Sequence, residues 1–313
     1  MTKNDMLCAL TAAGVDTAQA AVFADCLATA DLYGVTSHGS RMLSAHLDKL
    51  VRGEYNLTPQ FTVLRETAAF AVIDGENAIG AVSADHCMRY AMDKCKTSGM
   101  FTVYSRNNNT FGPAFYYPLK AAQAGYIALI ASNSPAQMAP IGGKQKMLGT
   151  NPFAAVIPVE GSDPLIIDMA TSVVAKSKFK EYKEQGLPLP SGWALDENGK
   201  PTTDPDEGMR GLVLPMAGFK GYSIAMLIDI LSGVLSGAAY LNNVGRFYSE
   251  DGACMNVGFY ITVIDPVQVL GEDAPATLRE FAQALRNSNA IDGEIVRLPG
   301  DDRLENKKKH EET

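Results

Sequence analysis

The sequence predicts an α+β fold that is not a Rossmann fold. Short apolar β segments and helical stripes follow one another without the regular βαβ order of a doubly wound sheet. No G-x-G-x-x-G follows a predicted strand, as a Rossmann dinucleotide fold would require. A length of 313 residues, with 46% hydrophobic and 20% charged residues, favours one large or two smaller globular domains.

The composition argues against several other classes of protein. A net charge of −8 is unlike that of a general nucleic-acid binder, which carries a basic face. The apolar stretches break within about ten residues, short of the roughly 18–20 that a membrane span needs. The first residues lack the pattern of a signal peptide. Five cysteines without a C-x-x-C pair indicate a reducing compartment, and therefore a cytoplasmic protein.

The N-terminal segment has the pattern of two helices. Asp16 or Thr17 is placed to cap the first of them, and Gly34 to end it. Its apolar stripe consists of Val22, Phe23, Cys26, Leu27 and Ala30. The second helix is predicted from Ser40 onwards. Its apolar face consists of Leu43, Leu47, Leu50 and Val51.

After Pro59 the pattern changes to short β segments separated by helices. Asp74-Gly75 resembles the turn of a β-hairpin. A helix is predicted to end at Gly99 and another at Gly125. The predicted strands are residues 69–73, 101–105, 126–131, 153–159, 165–168 and 259–264.

The C-terminal half contains one irregular segment and two further helices. Residues 186–211 are rich in Pro, Gly and Asp and show little periodicity. Residues 220–235 are mostly apolar and predict a buried helix, whereas residues 274–285 predict an amphipathic one. The charged tail after Gly300 is expected to be frayed.

Histidine is the side chain best suited to proton transfer near neutral pH, and His38 is the first candidate. It lies in a predicted turn, followed by Gly39, where a ring nitrogen can face a cleft. A cap or turn residue without chemistry is the alternative. The four histidines, His38, His46, His86 and His310, are not spaced like a metal site.

Three further features have both a functional and a structural interpretation. The loops at 132–143 and 148–152 can offer backbone N–H groups to an anion, or they can be tight turns. Asp168, at the end of a predicted strand, can orient a histidine or cap the next helix. Lys220, between glycines at the start of a predicted helix, can bind phosphate or extend to water.

Taken together and in order, eight segments resemble the type-2 malate/L-lactate dehydrogenase family. The resemblance runs from about Ala30 to Gly300. The segments are GVTSHG (34–39), NNNTFG (107–112), SNSPAQMAPIGG (132–143), LGTNP (148–152), DMATSVVA (168–175), GWA with PTTDP (192–194 and 201–205), GFKGY (218–222) and PG (299–300). Members of the family act on malate, lactate, sulfolactate, ureidoglycolate, diketogulonate or Δ1-piperideine-2-carboxylate.

This resemblance implies a helical domain formed by residues 1–66 and 270–313, and an α+β domain formed by residues 67–269 that binds the nicotinamide cofactor. It also implies a homodimer. The cofactor is NAD or NADP, and the sequence does not distinguish the two. The implied cofactor contacts are Ser134, Asp168, Met169, Ala170, Lys220, Pro299 and Gly300.

The resemblance further implies an oxidoreductase that interconverts a small 2-hydroxy acid and a 2-oxo acid by hydride transfer. His38 is the implied proton donor and acceptor, with Ser37 and Asp168 as the residues that orient it. Arg41 is the nearest candidate for binding the substrate carboxylate, although the family usually has its arginine one position later.

Thr110 is the main departure from the family pattern, because most members have a histidine there. Threonine can donate a hydrogen bond to the substrate but cannot accept a proton near neutral pH. Ureidoglycolate chemistry is therefore less expected than malate-like or lactate-like chemistry. The alternative is a silent paralogue that binds a dinucleotide or a carboxylate without turnover.

Overall fold

The computed structural model describes residues 1–249 and 254–311. Ten strands occur in these residues: β1 (Val63–Glu66), β2 (Phe70–Asp74), β3 (Met100–Asn108), β4 (Ile127–Ser132), β5 (Phe153–Ile157), β6 (Leu165–Met169), β7 (Ala194–Leu195), β8 (Pro201–Thr202), β9 (Leu212–Val213) and β10 (Val257–Ile264). Seven of them form one sheet in the order β1-β2-β3-β10-β4-β5-β6. The other three form a small sheet in the order β8-β7-β9.

The described residues also form eleven α-helices: α1 (Lys3–Ala12), α2 (Thr17–Leu32), α3 (Leu43–Val51), α4 (Gly80–Ser98), α5 (Tyr116–Gln123), α6 (Ser177–Glu184), α7 (Pro205–Arg210), α8 (Phe219–Ile228), α9 (Pro266–Leu270), α10 (Ala274–Arg286) and α11 (Asp301–Glu311). Asp16 caps α2, because its Oδ1 accepts the N–H of Ala18 at 2.9 Å. None of the helices in this part of the chain is long and apolar enough to cross a membrane.

The large sheet is mixed, which confirms the predicted α+β, non-Rossmann class. Five of its strand pairs are antiparallel, and only β2 and β3 are parallel. The predicted hairpin at Asp74-Gly75 is therefore wrong. The chain leaves β2 through this turn, forms α4 and returns as β3, because two parallel neighbours need a crossover connection.

Two apolar cores hold the molecule together. The larger core joins the N-terminal helices to the sheet and includes Met6, Leu27, Tyr117 and Phe259. The smaller core lies between the small sheet, α6 and α8. It consists of Met138, Leu148, Phe179, Leu189, Ala194, Val213 and Ala225. The domain division into 1–66 with 270–313 and 67–269 stays a prediction.

The predicted buried helix over residues 220–235 is only partly buried. The α-helix ends at Ile228, and a π-helical turn, Asp229–Val234, continues it. One side packs on the smaller core through Ala225, whereas Leu227 and Leu235 are more than half exposed. Apolar composition predicted a buried position, but it could not show which side lacks a neighbour.

The expectation of a frayed tail is also wrong. Asp301–Glu311 form α11, and Leu304 is buried against the larger core. Asp301 starts this helix: its carboxylate accepts the Leu298 N–H at 2.8 Å and pairs with Arg286 at 3.0 Å. The charges in the tail therefore make specific contacts, which their sequence pattern did not reveal.

Candidate active site

His38 lies at the end of a 3-10 turn, Thr36–His38, between α2 and α3. Asp31 fixes this turn, because its Oδ2 accepts the Ser40 N–H at 3.0 Å. A Cβ at position 39 would lie 1.8 Å from Asp31 Oδ1, so a side chain there would displace the carboxylate of Asp31. The second predicted helix begins three residues later than Ser40, because a second 3-10 turn, Ser40–Met42, precedes α3.

The side chains of Ser37 and His38 are in contact. Ser37 Oγ lies 2.9 Å from His38 Nδ1, a hydrogen-bond distance. This contact occupies one ring nitrogen and leaves Nε2 for exchange with another molecule. The sequence prediction that Ser37 orients His38 agrees with this geometry.

His38 lines a cavity of about 140 Å³ that two predicted site residues also line. These are Thr110, on the loop after β3, and Ser134, on the loop after β4. Gly112, Asn133, Thr150 and Pro152 complete much of the wall. The cavity therefore collects the polar loops that the sequence singled out and places one histidine among them.

A buried amide network holds the Ser134 loop in place. The Ser134 N–H donates to Asn151 Oδ1 at 3.0 Å, and Asn151 Nδ2 donates to the Ala225 carbonyl at 2.9 Å. Asn133 Oδ1 accepts the Gly258 N–H at 2.9 Å. An unpaired buried amide would destabilise the folded protein. These hydrogen bonds therefore fix the loop against the sheet and α8.

Asp168 does not contact His38 in the described structure; it pairs with a residue that the sequence did not single out. Its Oδ2 lies 2.7 Å from Arg303 Nη2 on α11, and the same nitrogen donates to the Asp168 carbonyl at 3.3 Å. The Arg303 guanidinium also stacks on the ring of Phe115, 5.0 Å from its centroid. The predicted direct contact between Asp168 and His38 is therefore absent.

Arg303 nevertheless acts on both groups through its charge. Burial lowers the pKa of His38, and the positive charge of Arg303 lowers it further. Burial raises the pKa of Asp168, and Arg303 opposes that rise. The cation therefore favours a neutral imidazole and an ionised carboxylate at neutral pH.

Asp168 lines a second, larger cavity of about 620 Å³. Three of the other predicted cofactor contacts, Met169, Pro299 and Gly300, also line it. The Ile166 N–H donates to the Pro299 carbonyl at 3.0 Å, so the two segments are joined directly. Gly300 has φ +96°, and a Cβ there would lie 2.7 Å from Ile166 Cβ, so a side chain at 300 would disrupt the wall.

The remaining predicted residues lie outside both cavities. Ala170 follows Met169 and is partly exposed. Lys220 is exposed in the first turn of α8, and its ammonium makes no hydrogen bond or ion pair within residues 1–249 and 254–311. Arg41 is exposed in the second 3-10 turn and does not line the His38 cavity.

A histidine held by a hydroxyl at one cavity, beside a larger cleft formed by a strand end and a helix start, is the arrangement of an enzyme that transfers protons next to a bound cofactor. A family model described as malate/L-lactate dehydrogenase matches residues 3–313. The chain belongs to this family, as its sequence motifs predicted.

Individual relatives and structures agree with this assignment. A malate dehydrogenase from Pyrococcus horikoshii is 40% identical over 264 residues, which cover 82% of this chain and 72% of the relative. A sulfolactate dehydrogenase structure from Methanocaldococcus jannaschii superposes with a TM-score of 0.92 at 34% identity, covering 98% of this chain and 89% of that one.

Relatives of both cofactor types occur. A ureidoglycolate dehydrogenase (NAD(+)) from Escherichia coli K12 is 34% identical, covering 89% of this chain and 79% of the relative. A (2R)-3-sulfolactate dehydrogenase (NADP(+)) from Chromohalobacter salexigens is 32% identical, covering 93% and 86%. The predicted oxidoreductase class, with NAD or NADP as cofactor, is thus confirmed, and these names give no support to a silent paralogue.

Proposed function

We propose that this chain is an NAD(P)-dependent dehydrogenase that interconverts a small 2-hydroxy acid and its 2-oxo acid. The observation that carries the proposal is His38, which contacts Ser37 and lines the same small cavity as Thr110 and Ser134. The cavity of about 140 Å³ suits a compact substrate rather than a long one. Malate-like and lactate-like acids have this size and carry the hydroxyl that His38 would deprotonate.

The dinucleotide would lie along the larger cavity. Asp168 and Met169 at the end of β6 face Pro299 and Gly300 just before α11, and Gly300 allows the two segments to pack closely against each other at Ile166. When bound, the nicotinamide accepts or supplies the hydride. The N-terminus of α11 adds backbone N–H groups and a partial positive charge at this edge. Ser134, Ala170 and Lys220 are proposed as further contacts.

His38 moves the proton in this mechanism. In the oxidation direction its neutral Nε2 accepts the proton of the substrate hydroxyl, while Ser37 Oγ holds Nδ1. In the reduction direction the imidazolium returns that proton to the nascent alkoxide. Thr110 lies on the wall of the same cavity, where its hydroxyl can bond the substrate. Arg41, as a ligand of the substrate carboxylate, stays a prediction.

The direct test follows the absorbance of NADH and of NADPH with a panel of 2-oxo substrates. The panel contains pyruvate, oxaloacetate, sulfopyruvate, diketogulonate and Δ1-piperideine-2-carboxylate. Turnover with one of the first three supports the proposal and identifies both substrate and cofactor. Turnover with the cyclic imine alone would contradict the 2-oxo acid assignment. A folded protein that binds NAD(P)H without any turnover would favour the silent paralogue.

The oxidation rate is expected to fall as pH decreases through the pKa of His38, because the reaction requires neutral imidazole. Burial and Arg303 lower this pKa from its ordinary value of 6.5, so the fall lies on the acid side of 6.5. The reduction rate has the opposite dependence and falls as pH rises through the same pKa. Profiles of kcat/KM in both directions measure this, and an acid limb above 6.5 would contradict the burial of His38.

We also propose that two copies associate through the exposed side of α8 and the π-helical turn. Phe219, Met226, Leu227, Ile230 and Val234 recur at helical spacing, and each is at least 40% exposed. Leu235, 54% exposed, continues this patch towards Leu64 on β1. A contiguous apolar surface of this kind is unusual on a monomer, and a second copy of the same helix would cover it.

The variant Leu227→Lys is expected to produce monomers, because it places a charge in the centre of this patch. Light scattering after gel filtration should give twice the chain mass of 33.5 kDa for the parent and the single chain mass for the variant. Val51→Lys, at an 85% exposed position on α3, is the matched control and should leave the dimer intact. A dimer that survives Leu227→Lys would exclude this surface.

A cytoplasmic location is proposed as well. The five cysteines, Cys8, Cys26, Cys87, Cys95 and Cys254, are all free thiols. Burial raises the pKa of the Cys26 and Cys87 thiols to about 12, so these two are unreactive. Free thiols are typical of proteins in a reducing compartment.

A further inference from the structure

A third cavity, of about 430 Å³, has a strongly basic lining. It lies between the loop before β5, the end of α7 and the segment near Val244, and it shares no lining residue with the cavities of His38 and Asp168. The charged residues that line it are Lys144, Lys146, Arg210, Arg246, Asp196 and Glu197. Cations therefore outnumber carboxylates by four to two.

Two lysines converge on adjacent carbonyls beside this cavity. Lys146 Nζ donates to the Arg210 carbonyl at 2.6 Å, and Lys176 Nζ donates to the Gly211 carbonyl at 3.1 Å. Lys176 Nζ also donates to Gln137 Oε1 at 2.8 Å. Because consecutive carbonyls hold the two ammonium groups, the lysines are fixed next to each other despite their like charge.

Their mutual repulsion is visible in their acidity. Burial and the charges of Lys146 and Arg246 lower the pKa of Lys176 to about 8. The pKa of Lys146 is lowered by burial and by Arg246, and Glu197 opposes this only in part. Three cations thus act on one another at one place, which is unfavourable unless an anion joins them.

The two carboxylates of the lining are engaged elsewhere. Glu197 Oε2 pairs with Arg210 Nε at 3.2 Å. Asp196 Oδ1 accepts the backbone N–H groups of Asn198 and Lys200, each at 2.8 Å. Neither carboxylate forms a hydrogen bond with Lys146, Lys176 or Arg246 in the part of the chain that the structure describes. The three cations consequently keep donors available for a ligand.

We infer that Lys146, Lys176 and Arg246 form a binding site for the phosphate group of a small phosphorylated ligand, separate from the proposed reaction site. A phosphate dianion offers several acceptor oxygens, which match two ammonium groups and the forked guanidinium better than a single carboxylate does. The volume lies within the range of about 300–1,000 Å³ that is typical of small-molecule sites, so a phosphomonoester fills it better than inorganic phosphate.

The test is calorimetric titration of the whole protein at low salt with inorganic phosphate and with glycerol 1-phosphate, and with glycerol as the uncharged control. Saturable binding of a phosphate compound, but not of glycerol, is expected. Arg246→Gln should weaken that binding about tenfold or more, the effect of losing one charge-assisted hydrogen bond. The side chain of Arg246 is exposed and makes no hydrogen bond within the described residues, so this variant should fold normally.

Lys180→Gln, on the exposed side of α6, is the matched control and should bind phosphate like the parent. A lysine double variant, K146Q/K176Q, should abolish binding, and circular dichroism checks its fold. Tighter binding of glycerol 1-phosphate identifies a phosphomonoester as ligand, and tighter binding of phosphate identifies the free ion; both support the site. The inference is overturned by absent binding, or by equal binding in Arg246→Gln.

A second measurement separates this site from the cofactor. Phosphate should leave the affinity for both NADPH and NADH unchanged, because the cavities share no lining residue. Competition with NADPH but not with NADH would overturn the inference, since the three cations would then bind the 2′-phosphate of the cofactor. The binding assays need no turnover, so failure of the proposed dehydrogenase activity would not affect their outcome.

Discussion

Replacing His38 with alanine is expected to lower kcat by about 10²–10⁴-fold, the usual contribution of a general acid–base residue. Among the residues that the structure describes, His38 is the one histidine that lines the small cavity, and Ser37 contacts its Nδ1. The affinity for NAD(P)H should change little, because His38 does not line the larger cavity. Steady-state kinetics would measure kcat, and stopped-flow binding experiments would measure the affinity for NAD(P)H.

His86→Ala is the matched control for this variant. His86 stacks on the ring of Phe61, 4.4 Å between centroids, and lines neither cavity, so turnover should be retained. Exogenous imidazole should partly restore the rate of the His38 variant, because truncation leaves space for it at the cavity wall. A full rate without imidazole in that variant would remove His38 from the mechanism.

The second large effect is expected from Arg303→Gln. Arg303 is 23% exposed at its side chain and Asp168 is 11% exposed, so the variant leaves a largely buried carboxylate without its cation. The free energy of unfolding should fall by about 1.5–3 kcal/mol, the usual contribution of a hydrogen bond to a charged group. The Kd for the cofactor should rise about tenfold, because Arg303 joins the two walls of the larger cavity.

Two controls distinguish this pair from a general effect on α11. Arg286→Gln removes the exposed partner of Asp301, which lies on α11 like Arg303. This variant should lower the free energy of unfolding by about 0–1 kcal/mol. In an Asp168→Asn background, Arg303→Gln should cost much less than it does alone. Equal costs in both backgrounds would show that Arg303 acts through other contacts.

The stability of the Arg303 variant should also depend on pH. Burial raises the pKa of Asp168, and without Arg303 this pKa rises further. A group with a raised pKa stabilises the fold below its unfolded value and loses that contribution as pH increases through its folded value. The difference in the free energy of unfolding between the parent and the Arg303 variant should therefore be smallest near about pH 4 and largest at neutral pH. Urea unfolding across this range measures it.

Local sequence patterns predicted most of the fold and singled out His38, whose catalytic role stays a prediction. Asp16 caps α2, and a polar turn followed by Gly39 holds His38, because such features depend on neighbours within a few residues. The segments around Asp168 and Gly300 were predicted as cofactor contacts through a family resemblance, and both line one cavity.

The errors concern contacts between distant residues. Arg303 lies in a charged run whose local pattern predicts a frayed tail. Its partner on β6 is 135 residues away, and the local pattern gives no sign of that contact. The exposed side of α8 is apolar, so the sequence predicted burial without indicating what covers it. Asp74-Gly75 has hairpin composition, yet the parallel pairing of β2 and β3 decides the path of the chain.

The ion pair between Asp168 on β6 and Arg303 on α11 also bears on the order in which the chain folds. Asp168 and Arg303 close a loop of 135 residues, and the pairing of β3 with β10 in the middle of the large sheet spans 149 residues between Asn108 and Val257. Loops of this length close late, since their entropy cost must be met before the contact forms. Partly folded chains would thus lack both the complete large sheet and the larger cavity. The dinucleotide would bind only the folded protein. A high dinucleotide concentration would therefore shift the folding equilibrium towards the folded protein by mass action.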